Sequence, residues 1–492
     1  MARSPKKAAL ATPQAKLNSA IKSARDVMRK DAGLNGDLDR IPQLAWLLFL
    51  KAFDELIEQS REVTEADYRP AIDPPYRWRD WAADPNGATG EALLEFVNGD
   101  LLPYLRGLVG TGSHDPRDVL SAVFRETNNR MLSGYLLRDV INKVNGIDFA
   151  SSEDIHTMAR LYESMLREMR DAAGDSGEFY TPRPVIRFMV QQVAPRLGEV
   201  VLDPACGTGG FLVEALEEVE PQVGSVEQRR ALHDDLRGIE KKPLPYLLGM
   251  MNLVLHGVFQ PNLERGNALS TPITQISRSA RVDVVLTNPP FGGEEESSIQ
   301  ANFPADKQTA ETAWLFLQLV IRRLKDGGRC GIVVPNGLLF GDGVGARIKQ
   351  QLLTECNLHT VVRLPDGVFE PYTAIPSNLL FFEKTGRTKA VWFYEIPPPD
   401  GRKKYSKTKP MRFEEFADCQ AWWGAREANE RAWRVPIADL EANGYNLDLR
   451  NPHRPDDLAH RPPAELLAEL IATEREILHL LEALEDEIEA AP

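Results

Sequence analysis

A chain of 492 residues, 43% hydrophobic and 26% charged, has the composition of an ordinary globular protein and is long enough for two to four domains. Its net charge of −14 argues against a protein that grips nucleic acid through an overall basic surplus; if it acts on DNA, a local patch or another subunit must supply the phosphate contacts. Four cysteines without CxxC spacing argue against a zinc site or a disulfide framework and fit a reducing cytoplasm, and the most apolar run, Leu44 to Leu50, is far short of a membrane span.

The N-terminus, with Arg3, Lys6 and Lys7 among Ala, Ser and Pro, reads as a flexible basic tail and not as an export signal. From about Leu17 to Ile147 the pattern is mostly helical. Pro42 suits the first turn of a helix, and the run from Leu44 to Ile57 is apolar on more than one face, so that helix is expected inside a domain or against a partner. Tyr68 to Gly90, rich in Pro, Trp, Asp and Gly, is a loop excursion. Helix is expected again at Gly90 to Val97 and around Leu132 to Val144.

A second unit opens near Ser151, where Ser-Ser-Glu-Asp caps a helix over His156 to Arg170. From Val200 to about Glu383, strands at Val200–Leu202, Val282–Leu286, Cys330–Val334, Thr360–Leu364 and Asn378–Phe382 alternate with helices at Leu212–Glu218, Leu244–Leu255 and Trp314–Leu324. That alternation predicts an α/β fold with a doubly wound, mainly parallel sheet. Val391–Ile396 suits one more strand, Pro397 to Pro410 a Pro/Lys-rich linker or hairpin, and the tail from Ala464 an acidic amphipathic helix that packs on its own domain or docks another subunit. The expected division is an N-terminal helical domain over 1–150, a catalytic α/β domain over 151–396, and a linker with a helical tail over 397–492.

Two loops carry the chemistry. Ligands of open α/β sheets bind beyond the carboxyl ends of strands, and both loops sit there. In the first, Asp203-Pro204-Ala205-Cys206-Gly207-Thr208-Gly209-Gly210, small residues let backbone approach a ligand, but the pattern is not G-x-G-x-x-G. An acid at the strand end suits a cofactor with a cationic end better than a pyrophosphate. An acid on the next strand would take ribose hydroxyls. Glu227 has the usual spacing of about 20 residues, whereas Glu240 is followed directly by an apolar helix and is preferred.

The second loop, Asn288-Pro289-Pro290-Phe291, suits a planar amine. The exocyclic nitrogen of adenine is a poor nucleophile because its lone pair is delocalised. An Asn side-chain oxygen and a backbone carbonyl fixed by the prolines can accept its two protons, and the aromatic ring can stack on the base. A base inside a duplex must first be flipped out.

Together these segments, with Gly177-Glu178-Phe179-Tyr180-Thr181-Pro182-Arg183, Met251-Asn252-Leu253 and Leu364-Pro365-Asp366-Gly367-Val368-Phe369, resemble the amino-methylating DNA methyltransferases. The closest resemblance is to the modification subunit of type I restriction–modification systems, over about Ser151 to Glu383. It implies a Rossmann-like methyltransferase sheet and transfer of a methyl group from S-adenosylmethionine to N6 of adenine in double-stranded DNA. Glu178, Phe179, Tyr180, Thr181, Pro182 and Arg183 would border the methionine end of the cofactor. Asp203, Pro204, Ala205, Gly207, Thr208, Gly209 and Gly210 would form the rest of that wall, with Glu240 at the ribose and Asn267 beside the cofactor's adenine. Asn288, Pro289, Pro290 and Phe291 would be catalytic, and Phe369 or Tyr372 would offer the other face of the base. Relatives commonly have Asp at the position of Asn267; Asn keeps an acceptor oxygen but loses the charge. No metal is implied. The implied partners are a separate specificity subunit, a second copy of this chain and a restriction subunit that can join them, in the cytoplasm and away from membranes.

Other amino methyltransferases use an N-P-P-aromatic loop on N4 of cytosine, on rRNA guanine or on protein glutamine, although the long helical front domain argues against the small single-domain ones. A C5-cytosine mechanism needs a nucleophilic Cys, typically after Pro, and none of Cys206, Cys330, Cys356 or Cys419 follows Pro. A catalytically silent scaffold for phage defence is the alternative outside enzymes, and the intact Asn288–Phe291 loop speaks against it.

Overall fold

The computed structural model describes residues 13–64, 68–111, 115–147, 149, 181–370, 373–398, 402, 404–406, 408–453, and 471, 474, 475, 477 and 478. The expected helix over His156 to Arg170 and all but those last few residues of the expected C-terminal helix lie outside them.

The front of the chain is helical. Helices α1 (Pro13–Met28), α2 (Asp37–Ala52), α3 (Pro116–Phe124) and α4 (Gly134–Asn145) are its longer elements. Ser133 caps α4, its hydroxyl accepting from the Leu136 N–H at 3.3 Å. Leu44, Leu47, Leu48, Phe53 and Ile57 are all buried, as apolarity on more than one face requires. Withdrawing each such side chain from water contributes about 1.5–3 kcal/mol. Pro42 is not in the first turn: the helix starts at Asp37, with Asp37 and Asp39 at its positive end, and Pro42 lies inside it. Beyond Ala52 the helix widens into a π-helical stretch, Phe53–Gln59.

The rest is built on one nine-stranded sheet. Its strands are β1 (Val201–Asp203), β2 (Leu236–Glu240), β3 (Asn262–Arg265), β4 (Val282–Thr287), β5 (Leu324–Pro335), β6 (Asn357–Arg363), β7 (Ser377–Glu383), β8 (Ala390–Glu395) and β9 (Ala432–Pro436). Their spatial order is β3-β2-β1-β4-β5-β7-β6-β8-β9. β3, β2, β1, β4 and β5 run parallel; β7 is inserted antiparallel between β5 and β6, and β9 is antiparallel to β8. The mainly parallel α/β sheet read from the sequence is therefore present, and Val391–Ile396 does contribute a strand. The boundary expected at residue 396 falls between β8 and β9, which are hydrogen-bonded neighbours.

Alternate strand residues serve two cores, as the period of two demands. Val201, Val284 and Leu286 face the layer holding α5 (Arg183–Val193), α6 (Gly210–Val219) and α8 (Pro243–Leu255), where the front helical domain also packs. Leu202 and Val285 face α9 (Thr312–Arg323) and α10 (Val344–Glu355), and Val282 joins them because the register shifts between Val282 and Val284. Between α6 and α8, helix α7 (Val226–Asp235) leads into β2. Arg329 of β5 donates to the carbonyls of Val193 and Ala194, which fixes the end of α5 and so aims its first turn at the strand ends. No described helix is long and apolar enough to cross a membrane.

Candidate active site

The carboxyl ends of β1, β2, β3 and β4 meet at a cavity of about 230 Å³. Its walls include Thr181, Arg183, Asp203, Pro204, Ala205, Gly207, Thr208, Gly210, Glu240, Asn267, Asn288 and Pro290. Residues from well-separated stretches of the chain thus share one space. Pro182, Gly209, Pro289, Phe291 and Phe369 flank the site without lining that cavity. Glu178, Phe179, Tyr180 and Tyr372 lie outside the described residues.

The first loop leaves β1 through Asp203, which is buried and accepts from the Thr287 hydroxyl at 2.7 Å and from the Ala205 N–H at 3.1 Å. Burial pushes its carboxyl up to about 7 against those two hydrogen bonds, with a smaller upward contribution from Glu240. Gly207 and Gly209 have φ of +52° and +75°, a conformation that strains any residue with a Cβ. The loop is stitched from both sides. Cys206 N–H donates to Ile239 O at 3.0 Å, and the Asn252 amide donates to Thr208 O at 2.9 Å.

The two candidate acids differ in position. Glu227 is in the first turn of α7, fully exposed, whereas Glu240 ends β2 beside the cavity. Glu240 accepts from the N–H of Gly207 at 2.9 Å and of Lys242 at 2.7 Å, and burial raises its carboxyl above the ordinary range in spite of them. Two buried carboxyl groups at adjacent strand ends give the cavity a floor of acceptors, which a cationic ligand would hold in the ionised form. That floor fits a ligand with a cationic end and hydroxyl donors, and it repels a pyrophosphate. S-adenosylmethionine has both features.

The second loop leaves β4 after Thr287. The Asn288 side-chain nitrogen donates to the Thr181 hydroxyl at 2.9 Å, and its oxygen is buried with no hydrogen-bond partner among the described residues. An acceptor left so is worth about 1–3 kcal/mol against the fold, and it marks where a ligand's N–H belongs. The Phe291 ring meets Phe369 edge-on, centroids 5.4 Å apart and planes at 73°. Phe369 is only 4% exposed, so it braces Phe291 and presents no parallel second face to a base. Downstream, the Thr312 hydroxyl at the start of α9 donates to Gly293 O at 3.1 Å and tethers this loop to the cavity.

Two participants, Thr287 and Glu295, had no signal as motifs, and Thr181, which stands in the Gly177–Arg183 motif, was expected only to border the cofactor. Thr181 and Thr287 act through partners 107 and 84 residues away. Glu295, in the cavity wall, takes the Asn267 amide at 3.5 Å and lies 3.6 Å from the Lys241 ammonium. Asn267 Oδ1 meanwhile accepts from Leu269 N–H at 3.0 Å, so its amide nitrogen, not its oxygen, faces the carboxylate.

An α/β sheet with an antiparallel β7, an acidic cavity at the ends of β1 and β2, and an Asn-Pro-Pro-Phe loop after β4 define a class I methyltransferase. Residues 153–460 match the N-6 DNA Methylase family and residues 17–144 the HsdM N-terminal domain. The methylase subunit of the type I restriction enzyme EcoEI from Escherichia coli is 50% identical, over 96% of this chain and 98% of its own. A solved modification subunit of a putative type I restriction enzyme from Vibrio vulnificus YJ016 is 52% identical, with a TM-score of 0.83 over 92% of this chain and 100% of that one. A chain from a structure of type I restriction–modification complex assembly and conformational transition is 42% identical, with a TM-score of 0.81 over 98% and 100%. The chain belongs to the N-6 DNA methylase family, among the modification subunits of type I restriction–modification systems, and is a DNA methyltransferase.

Proposed function

We propose that this chain transfers the methyl group of S-adenosylmethionine to N6 of a flipped-out adenine in double-stranded DNA. In this reading it is the modification subunit of a complex in which a specificity subunit selects the site. The observation that carries the reading is the buried oxygen of Asn288 at the cavity wall, which has no partner among the described residues. When bound, the cofactor supplies an electrophilic methyl on a sulfonium. Asp203 would face its cationic end and Glu240 its ribose hydroxyls, while Arg183, donating to Gly210 O at 3.0 Å, holds the start of α6 in the wall. Asn288 Oδ1 accepts one adenine N6–H, and the backbone carbonyl within the Pro-Pro turn accepts the other. Both pull the amine toward tetrahedral geometry and free its lone pair. Phe291 stacks on the extruded base. No strong base is required, because the amine acquires its acidity only as the N–C bond forms; its proton then leaves to water.

Two copies of the chain with one specificity subunit suit a protein of net charge −14, since DNA reading is delegated, and a restriction subunit can join them. The cytoplasm, where the host DNA lies, is the proposed location. The test is to digest DNA treated with the purified complex and resolve its nucleosides. N6-methyladenine is expected with the unaltered chain and none with Asn288→Ala. N4-methylcytosine, or no methylated base, would overturn the assignment.

A further inference from the structure

We infer that the described cations of the stretch 402–412, Arg402, Lys404, Lys409 and Arg412, form a basic strap that grips the DNA backbone beside the extruded base. This inference rests on the proposed function and places part of the substrate's binding surface on this chain. In sequence the stretch carries six basic residues and no acid, against a chain that is strongly acidic. Its described cations Arg402, Lys404, Lys409 and Arg412 are all exposed.

What lifts this above an ordinary solvated charge run is where the strap is fastened. Tyr405 is 1% exposed, and its N–H donates to Asp366 O at 2.9 Å. Its backbone oxygen lies 2.4 Å from where a Cβ would stand on Gly367, whose φ is +78°, so only glycine lets the two backbones close. Lys404 pairs with Glu370 at 2.9 Å. The strap is thereby locked to the turn 364–370, whose Phe369 abuts Phe291 of the acceptor loop. Its far end is fixed as well. Met411 is buried, and the Phe413 ring receives the Arg187 guanidinium at 4.5 Å on α5, the helix that begins at the cavity. Between these anchors Ser406 and Lys409 exchange backbone hydrogen bonds in a tight turn. The acids that interact with the strap are Asp366, Glu370 and Glu415. Lys404 engages Glu370, and Glu415 accepts from the Arg412 backbone N–H.

A flipped nucleotide stays covalently bound to its flanking phosphates, which must pass the rim of the pocket that receives it. Exposed cations fastened to the turn behind Phe291 fit those phosphates. An exposed row of this kind is worth little to the fold, since cations there are screened.

The test uses the full chain in its complex with a specificity subunit, comparing the unaltered protein with a variant carrying R402Q, K404Q, K409Q and R412Q. Binding to an unmethylated mixed-sequence duplex is followed by fluorescence anisotropy across a salt series. For every phosphate that the strap no longer neutralises, the slope of log K against log salt should flatten by about 0.9. The variant should bind more weakly at low salt with a shallower slope, while cofactor affinity and subunit assembly stay unchanged. A variant with Lys and Arg exchanged at the same positions should keep the slope, which separates charge from folding. An unchanged slope in the glutamine variant would overturn the strap, as would failure to assemble, which would make the strap a protein-docking surface. If the unaltered complex methylates no DNA, the functional reading itself has failed, and that outcome is separate from the slope.

Discussion

The Asn288 amide nitrogen is tied to the Thr181 hydroxyl at 2.9 Å, and this bond leaves the Asn288 oxygen buried and, among the described residues, unpartnered. The two residues are far apart in sequence, one before α5 and one after β4. Their contact fixes which face of the amide meets the substrate, because a rotated amide would offer a donor where the amine needs an acceptor. Asn288→Ala should lower the methyl-transfer rate by about 10²-fold or more. It should leave the melting temperature unchanged or raised, since an unsatisfied buried acceptor is removed. Thr181→Val, which keeps shape and deletes the hydroxyl, should lower single-turnover rate by roughly tenfold while cofactor affinity changes little. A Thr181→Val enzyme with full rate would show that the bond does not orient Asn288.

Asp203 predicts a pH dependence with opposite signs for folding and binding. Its carboxyl is pushed up to about 7 by burial, from an ordinary 3.8. Between those values the native chain holds a proton that the unfolded chain has lost, so this group's contribution to stability declines as pH rises through that window. A cationic ligand prefers the ionised carboxylate, so cofactor affinity should fall as pH drops below about 7, at most tenfold per unit. Isothermal titration with S-adenosylmethionine from about pH 8 down to about pH 6 would show it. Asp203→Asn should flatten the profile, and an unaltered profile in that variant would remove Asp203 from the cationic end of the site.

Glu295 and Asn267 make a coupled pair. The Asn267 amide nitrogen faces Glu295 Oε2 at 3.5 Å, and Lys241 lies 3.6 Å from the same oxygen. Asn267→Asp would set two carboxylates against each other, and Coulomb repulsion at that range in a half-buried site should weaken cofactor affinity on the order of tenfold. Glu295→Gln should weaken binding alone, by removing an acceptor from the cavity wall, yet relieve the penalty in the double variant. The cycle is therefore expected to be non-additive. Additive losses would mean the two side chains do not sense each other.

The two strand-end loops were legible because each is contiguous and each residue type has a local reason to be there. Glu240 was separable from Glu227 only by inference, since a short strand, Leu236–Glu240, with Arg and Gly inside it has a weak alternating pattern. The antiparallel β7 between β5 and β6 could not be read from chain order, because its run Ser377–Glu383 is as apolar as a parallel strand buried on both faces. Thr287 and Glu295 carry no motif, and the motif that holds Thr181 gives no sign of its bond to Asn288. Their roles come from contacts that close only when β1, β4 and α5 are packed. Pro42 looked like a first-turn residue because proline is favoured there, but Asp37 and Asp39 start the helix earlier and the buried face of α2 holds it through the proline.

Gly249 offers a test of how the cofactor loop keeps its shape. It lies inside α8, and a Cβ there would stand 2.9 Å from the Gly207 carbonyl oxygen, which is backbone and cannot step aside alone. Replacing an exposed helical glycine by alanine would ordinarily gain about 1 kcal/mol of stability. Here Gly249→Ala should push Gly207 and Thr208 away from the helix and disturb the N–H that Gly207 gives to Glu240. Cofactor affinity should fall by roughly tenfold, with no gain in melting temperature. Gly210→Ala is the control on the same loop. The nearest atom to its Cβ would be the tip of Ile186, at 2.8 Å, and a side chain can rotate where a carbonyl cannot. Gly210→Ala should therefore bind cofactor better than Gly249→Ala in calorimetric titration. Equal losses in the two variants would mean that the packing of α8 against the loop does not set the cavity's shape.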